Sequence, residues 1–282
     1  MVQSETFVTQ RPESPLLREY IAYYYFHECT DSTVKKQFIY YPGYKNALTI
    51  YKNAQVEFGE NYSSVSPDQN SDFIFIYSGV QKHLRRAYIT APFQKIGVVF
   101  KELGINHFVS CPLSLASPDP IDKSFDYFGE ELKNHCRQIY SLTSRDEKVK
   151  LLDHFFQSRF QDLAEPVLKS CVKLIMAADQ KLSITCLSDQ LSINRKTLLR
   201  LFNKHLGCSA KDYVDIVQFR KSLNAYLLEQ KQDSLTGIAL ENDYYDQSQF
   251  INHFKKLTGT NPKAFFKDIR HIGREDTFWT FQ

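Results

Sequence analysis

Two stretches of this sequence carry side chains suited to holding phosphates and base edges. Arg195, Lys196, Thr197, Leu199, Arg200 and Asn203 fall in one, and Gln247, Ser248, Gln249, Asn252 and Lys255 in the other. Arginine and lysine donate to guanine N7/O6 and to phosphate oxygens, while asparagine and glutamine pair with adenine N6/N7. Leu199 is the apolar exception, able to touch a thymine methyl or simply to pack. Between these residues, Leu198 and Phe202, and likewise Phe250 and Phe254, stand one helical turn apart and face inward. A helix with cations outside is usually only solvated, so neither stretch is decisive alone.

The case strengthens because the two stretches belong to an internal repeat. Ile184, Leu187, Ser188 and Ile193 align with Leu235, Ile238, Ala239 and Tyr244 at a constant offset. Beyond the next turn the offset grows by one residue, matching Leu198 to Phe250, Phe202 to Phe254, Lys204 to Lys256 and Gly207 to Gly259. Each copy reads as a short apolar helix (Ile184–Leu191; Leu235–Asn242), a turn, and a second helix capped by Asn194 or Asp246. Two helices at a sharp angle with a polar second helix make a helix-turn-helix, whose second helix enters the major groove. The units are expected at 184–205 and 235–257. Between them, Lys211–Glu229 predicts one helix of roughly 28 Å, near the pitch of a DNA turn. Arg220, in its middle, is expected to form an ion pair within its own domain.

The rest of the chain supplies a β-rich unit. From Phe38 to Phe100, strand candidates Ala47–Tyr51, Gln55–Phe58, Phe73–Tyr77, Leu84–Ile89 and Lys95–Phe100 alternate with turn clusters such as Ser63–Asp72, suggesting an antiparallel sandwich or small barrel. Helices follow at Ser124–Tyr140 and Arg145–Leu163, and Pro166 suits the first turn of the next one. The boundary therefore falls at 163/164: a sensory or dimerisation domain over 1–163 and an all-α domain over 164–282. Leu152, Phe155, Phe156 and Phe160 form a stripe that either packs on its own domain or, the favoured reading, pairs two subunits. Arg85, Arg86 and Tyr88 form a basic cluster in a strand. Arg85 shares a face with Ala87 and Ile89, and Arg86 shares the other with Tyr88, so one arginine can point inward at an anionic ligand. The tyrosines Tyr23, Tyr24, Tyr25, Tyr40, Tyr41 and Tyr44 read as core and rim.

Composition limits the alternatives. With 43% hydrophobic and 24% charged residues over 282 positions, the chain is ordinary globular protein, and its net charge of +3 announces no partner. No apolar run approaches the length of about eighteen residues that spans a bilayer, and the first residues lack the order of a secretion signal, which places the protein in the cytoplasm, away from membranes. The six cysteines have no CxxC pairing, and the histidines no HxH or HExxH spacing. Neither a metal nor a disulfide framework is expected. Nor is there a GxSxG or a glycine-rich phosphate loop, so no cofactor and no enzyme activity is expected.

The segment LSITCLSDQLSINRKTLLRLFNKHLGCSAKDYV, then FRKSLNAYLL and SLTGIALENDYYDQSQFINHFKKLTGTNPKAFF, resembles the DNA-binding domain of the AraC/XylS family of bacterial transcription regulators. Its most specific elements are Ile238-Ala239, Tyr244-Tyr245-Asp246-Gln247-Ser248, Phe250, Phe254-Lys255-Lys256, Gly259 and Pro262. It departs from the family pattern at Ser188, Asp243, Gln249 and Asn261. Residues 42–50 and 95–108 resemble the N-terminal domain of a subset of such regulators. The resemblance implies an α+β protein with an N-terminal antiparallel, cupin-like barrel followed by subunit-pairing helices, and two helix-turn-helix units joined by a long helix. It implies a sequence-specific regulator of double-stranded DNA, a homodimer, answering to a small-molecule effector and able to meet RNA polymerase. The rival reading is a small-molecule-binding protein whose helical half engages a protein partner.

Overall fold

Alternation along the central strands dictates the layers. A computed structural model describes residues 5–123, 125–228, 247–268, 270–271 and 278–281. The first of its sheets contains, in spatial order, β1 (Glu5–Gln10), β2 (Ile21–Cys29), β9 (Phe93–Phe100), β4 (Asn46–Lys52), β7 (Phe73–Ser78) and β10 (Ile121–Asp122). In β9 every second residue, Ile96, Val98 and Phe100, joins a core with Leu48, Ile50 and Phe75 on one face of the sheet. That face is covered by α3 (Gly129–Ser141) and α4 (Arg145–Ser158), through residues including Leu132, Ile139, Leu152, Phe155 and Phe156. Glu130 and Glu131 in the first turn of α3, and Asp146 and Glu147 in that of α4, suit the positive end of each helix dipole.

The opposite face of the sheet meets the second sheet. This contains β5 (Ala54–Phe58), β6 (Tyr62–Pro67), β8 (Arg85–Thr90), β3 (Lys35–Tyr40), β12 (Phe278–Phe281) and β11 (Arg270–His271). Its pairings are antiparallel except β6 with β8, which is parallel. Phe38, Val65, Ala87 and Ile89 from this sheet pack with Tyr51, Ile76 and Phe93 of the first. Neither ladder closes on itself among the described residues, so hydrogen bonding describes an open pair of sheets. None of the described helices is long and apolar enough to cross a membrane.

Several expectations need correction. The helix expected from Ser124 begins at Gly129, because Phe125 and Phe128 are buried against the sheet and helices ahead of it. The stripe Leu152, Phe155 and Phe156 has no exposed surface and is consumed in its own domain's core, so pairing of two chains would need another face. The turn cluster 63–72 begins with strand β6, whose polar side chains hid it. Strands β1 and β2 precede the expected sheet, and β11 and β12 end a region expected to be helical. The six cysteines are free thiols.

Asp153 of α4 holds the N-terminal segment to the first sheet. It is buried and accepts hydrogen bonds from the Ser14 N–H at 2.7 Å and the Tyr24 hydroxyl at 2.8 Å. Between the sheets lies an unusual lysine. Lys95 is 1% exposed, its Nζ 5.4–5.9 Å from the ring centres of Tyr25, Phe38, Tyr51 and Phe93. Burial pushes its pKa down to about 7, against the attraction of Glu5. Nearby His27 is pushed down to about 3 by burial and by Lys95, although Glu5 accepts its hydrogen bond at 2.8 Å. Lys36 pairs with the same Glu5 carboxylate.

Two predictions follow from these buried groups. Asp153→Ala leaves a buried hydroxyl and a buried N–H without their acceptor and is expected to cost about 2–4 kcal/mol in denaturant unfolding. For Lys95, the unfolded chain holds a proton that the native protein lacks between pH 7 and the ordinary value of 10.5. His27 acts in the same sense between about 3 and 6.5. Unfolding free energy is therefore expected to rise with pH through both windows, by up to roughly 1.4 kcal/mol per unit per group. Lys95→Met should abolish the upper rise and stabilise the neutral protein by about 1 kcal/mol or more.

Candidate functional site

The helical region is built on two further cores. Proline at the first position starts α5 (Pro166–Ala177), whose Leu168, Cys171 and Val172 pack against α6 (Ile184–Gln190), α7 (Arg195–Leu206) and α8 (Ala210–Leu228). At the start of α6 the Cys186 N–H donates to Ser183 Oγ at 3.0 Å. Ser192, with φ of 52°, makes the turn. Asn194 then caps α7, accepting from the Thr197 N–H at 2.8 Å. Gly207, at φ 66°, ends that helix in the left-handed conformation that glycine accepts without strain. Ser188, an unusual residue for its place in the pattern, is buried, and its hydroxyl donates to the Ile184 carbonyl at 2.8 Å.

Helix α7 presents two opposite faces. Leu198 and Phe202 are fully buried in the unit's core. Lys196, Leu199, Arg200 and Asn203 are exposed on the other side, Leu199 by 47%. Arg195 is also exposed, but its guanidinium donates to Thr185 Oγ1 at 2.6 Å, which ties the start of α7 to α6. Thr197 is half-buried and contributes its capped N–H. Lys204 turns aside from this face, because Glu165 accepts from it at 3.0 Å and from His205 at 2.9 Å. Burial pushes the Glu165 carboxyl up, yet these two partners outweigh it and hold the pKa below the ordinary value. Burial lowers the His205 pKa against the pull of Glu165.

The second unit repeats the arrangement where it is described. In α9 (Gln247–Thr258), Phe250 and Phe254 are fully buried, packed with Phe265 of α10 (Pro262–Asp268) and with Phe219 and Leu223 of α8. Gln247, Ser248, Asn252 and Lys255 are exposed, and Gln249 lies on the same helix. The expected helix Leu235–Asn242, the Asp246 cap and Asp243 lie outside the described residues.

Both units rest on the β-rich domain. Val80 and Leu103 enter the core of the first, and the Asn106 amide donates to the His205 carbonyl at 3.0 Å. Ile39 and Tyr41 enter the core of the second. Arg220 of α8 reaches out of its own domain and donates to the carbonyl of Tyr41 at 3.1 Å and to that of Pro42. Both of these acceptors lie in the β-rich domain rather than in its own.

A cavity of about 210 Å³ lies between the sheets, and Arg220 contributes to its wall. Of the basic cluster only Arg85 lines it, with its terminal nitrogens donating to the carbonyls of Gly59 at 3.1 Å and Tyr62 at 2.8 Å. Arg86 is exposed, and Tyr88 packs outside against Tyr62. Sequence reasoning missed the remaining wall. Tyr23, Tyr25, Tyr40, Tyr41 and Tyr44 line the cavity, whereas Tyr24, on the opposite face of β2, points at Asp153. The alternation of Tyr23 and Tyr25 on one strand face was the available signal. Gly97 keeps the space open for this wall: a Cβ there would fall 1.8 Å from the Tyr25 ring. No group of three metal-ligating side chains occurs among the described residues.

Residues 187–268 match the family described as a helix-turn-helix domain. An uncharacterized HTH-type transcriptional regulator of Haemophilus influenzae is 29% identical over 83 residues, 29% of this chain and 27% of that protein. The Msm operon regulatory protein of Streptococcus mutans is 30% identical over 90 residues, 32% of either chain. The chain thus spans about a third of the length of these relatives or less. Among solved structures, fatty-acid-bound ToxT from Vibrio cholerae superposes with a TM-score of 0.48 at 11% identity, over 98% of this chain and 100% of that one. The C-terminal domain of AraT, a response regulator from Geobacillus stearothermophilus, gives 0.35 at 20% identity, over 38% and 88%. The matched helices, their caps and their outward polar faces lead to one assignment: residues 187–268 of this chain form a helix-turn-helix domain.

Proposed function

We propose that the protein is a sequence-specific transcription regulator that reads two adjacent major-groove segments of double-stranded DNA. The observation that carries this is the equivalence of α7 and α9. Each buries two apolar residues one turn apart and turns a row of hydrogen-bonding side chains to solvent. In α7, Lys196 and Arg200 supply phosphate and guanine contacts; in α9, Gln247, Gln249 and Asn252 supply adenine-capable ones. Helix α8, with 19 residues, sets a spacing of roughly 28 Å between the units, close to one turn of B-DNA. Such a protein acts in the bacterial cytoplasm and answers to a small molecule held in its β-rich domain.

A helical domain that engaged another protein would use these faces differently. Contacts to phosphate release counterions, so DNA binding should weaken steeply with added salt. Replacing Arg200 and Asn252 together by alanine is expected to remove specific binding, each base contact being worth about 1–3 kcal/mol. Both residues are exposed, so unfolding should shift by no more than about 0.5 kcal/mol. Capture of genomic fragments by the wild type and the double variant is the direct check. A shared two-segment motif present only with the wild type supports the reading, and an unchanged motif and affinity in the variant refutes it.

A further inference from the structure

One apolar side chain stands among the hydrogen-bonding ones that α7 turns outward. Leu199 is 47% exposed, and it belongs to none of the cores formed by the described residues. Its counterpart in the second copy of the repeat, Ile251, is half-buried and packs against the core of the second unit. The same apolar position is thus spent on packing in α9 and left to solvent in α7. The other large apolar side chains exposed among the described residues, Leu16, Tyr62, Tyr88 and Leu115, all precede the helical region.

Leu199 also lies well inside the outward face. At about 100° per residue, the exposed side chains span an arc of roughly 140° from Arg195 to Arg200, with Leu199, Asn203 and Lys196 inside it. Arg195, at one edge of the arc, is drawn toward α6 by its bond to Thr185 Oγ1 at 2.6 Å. Lys204, past the other edge, is held by Glu165 at 3.0 Å. The cations at the edges are therefore directed sideways, while Leu199, in the second turn of α7, projects from the part of the helix that meets base edges in a major groove.

What an apolar side chain can do there is narrow. The major-groove edges of guanine, cytosine and adenine present only donors and acceptors, and covering these with a leucine removes water from them without supplying a partner. Thymine alone presents an apolar group, its C5 methyl. A leucine against that methyl buries two apolar surfaces together and disfavours every other base by the polar edge it leaves dry. We propose that Leu199 is a specificity-determining residue that selects a thymine in the segment read by α7, by contact with the C5 methyl. This assignment rests on the regulator reading and names one base within it.

The test starts with selection of duplexes from a random-sequence library by the full-length protein. The selected duplex is then titrated by fluorescence anisotropy with each thymine replaced in turn by deoxyuridine, which removes only the methyl. One thymine should stand out, its replacement weakening wild-type binding about fourfold. It should lie in the half of the motif whose base preference Arg200→Ala relaxes. In Leu199→Ala the parent duplex should bind about fourfold more weakly or worse, and the same replacement should then change affinity by less than about twofold. Alanine is the best helix former and Leu199 supports no core, so this variant keeps the fold, and the deoxyuridine series on the wild type needs no variant. A motif in which every deoxyuridine duplex binds the wild type as the parent does overturns the assignment. So does a methyl dependence that Leu199→Ala retains in full, or one confined to the other half of the motif. A protein that selects no motif overturns the regulator reading itself, and the leucine assignment falls with it, so the two failures read differently.

Discussion

One short strand serves two cores, and much of the architecture depends on it. Successive side chains of β3 point to opposite faces. Phe38 is buried between the two sheets, and Ile39 is buried against the phenylalanines of the second reading unit. Phe219, Phe250, Phe254 and Phe265 are all buried there, each contributing about 2 kcal/mol of apolar burial. A strand fixed on both faces cannot shift toward one core without disturbing the other, since packed interiors deform in discrete steps. The β-rich domain is thus a working part of the reading unit beside it.

The two reading helices are constrained in different ways. Helix α7 sits in a core that is mostly its own, with the contribution of α5 locked by the contacts of Glu165 to Lys204 and His205. Helix α9 borrows Ile39 and Tyr41 from the neighbouring domain. Joined by α8, the pair has one comparatively fixed member and one whose seat lies on the wall of a cavity. In the regulator proposed above, such a pair would set the spacing and angle between two grooves without altering the identity of the base contacts.

The helical region was largely legible because amphipathic helices write their inward face at three- and four-residue steps. Leu198, Phe202, Phe250 and Phe254 were read as inward-facing, and Asn194 as a cap, from spacing alone. The β-rich region was legible only where strands alternate. In Ile21–Cys29 a run of aromatic residues is buried on both faces, one toward the helices and one toward the cavity, which leaves no period to detect. Tyr62–Pro67 fails for the opposite reason, being a strand of mainly polar residues beside other strands. The reach of Arg220 into the β-rich domain was not legible, because the carbonyls of Tyr41 and Pro42 lie more than a hundred residues away in sequence, a pairing no local pattern announces. For the same reason the cavity's cations could not be grouped, although Arg85 and Arg86 were placed on opposite strand faces with one of them able to point inward.

The pairing of β12 with β3 also orders events in time. Thr280 stands opposite Ile39, so the second sheet is completed by a segment made on the ribosome only after both reading units have emerged. Until then one edge of β3 presents unpaired backbone groups, a template on which another nascent strand can add. Cells making this protein quickly, or making it truncated, would be expected to accumulate chains that associate through that edge.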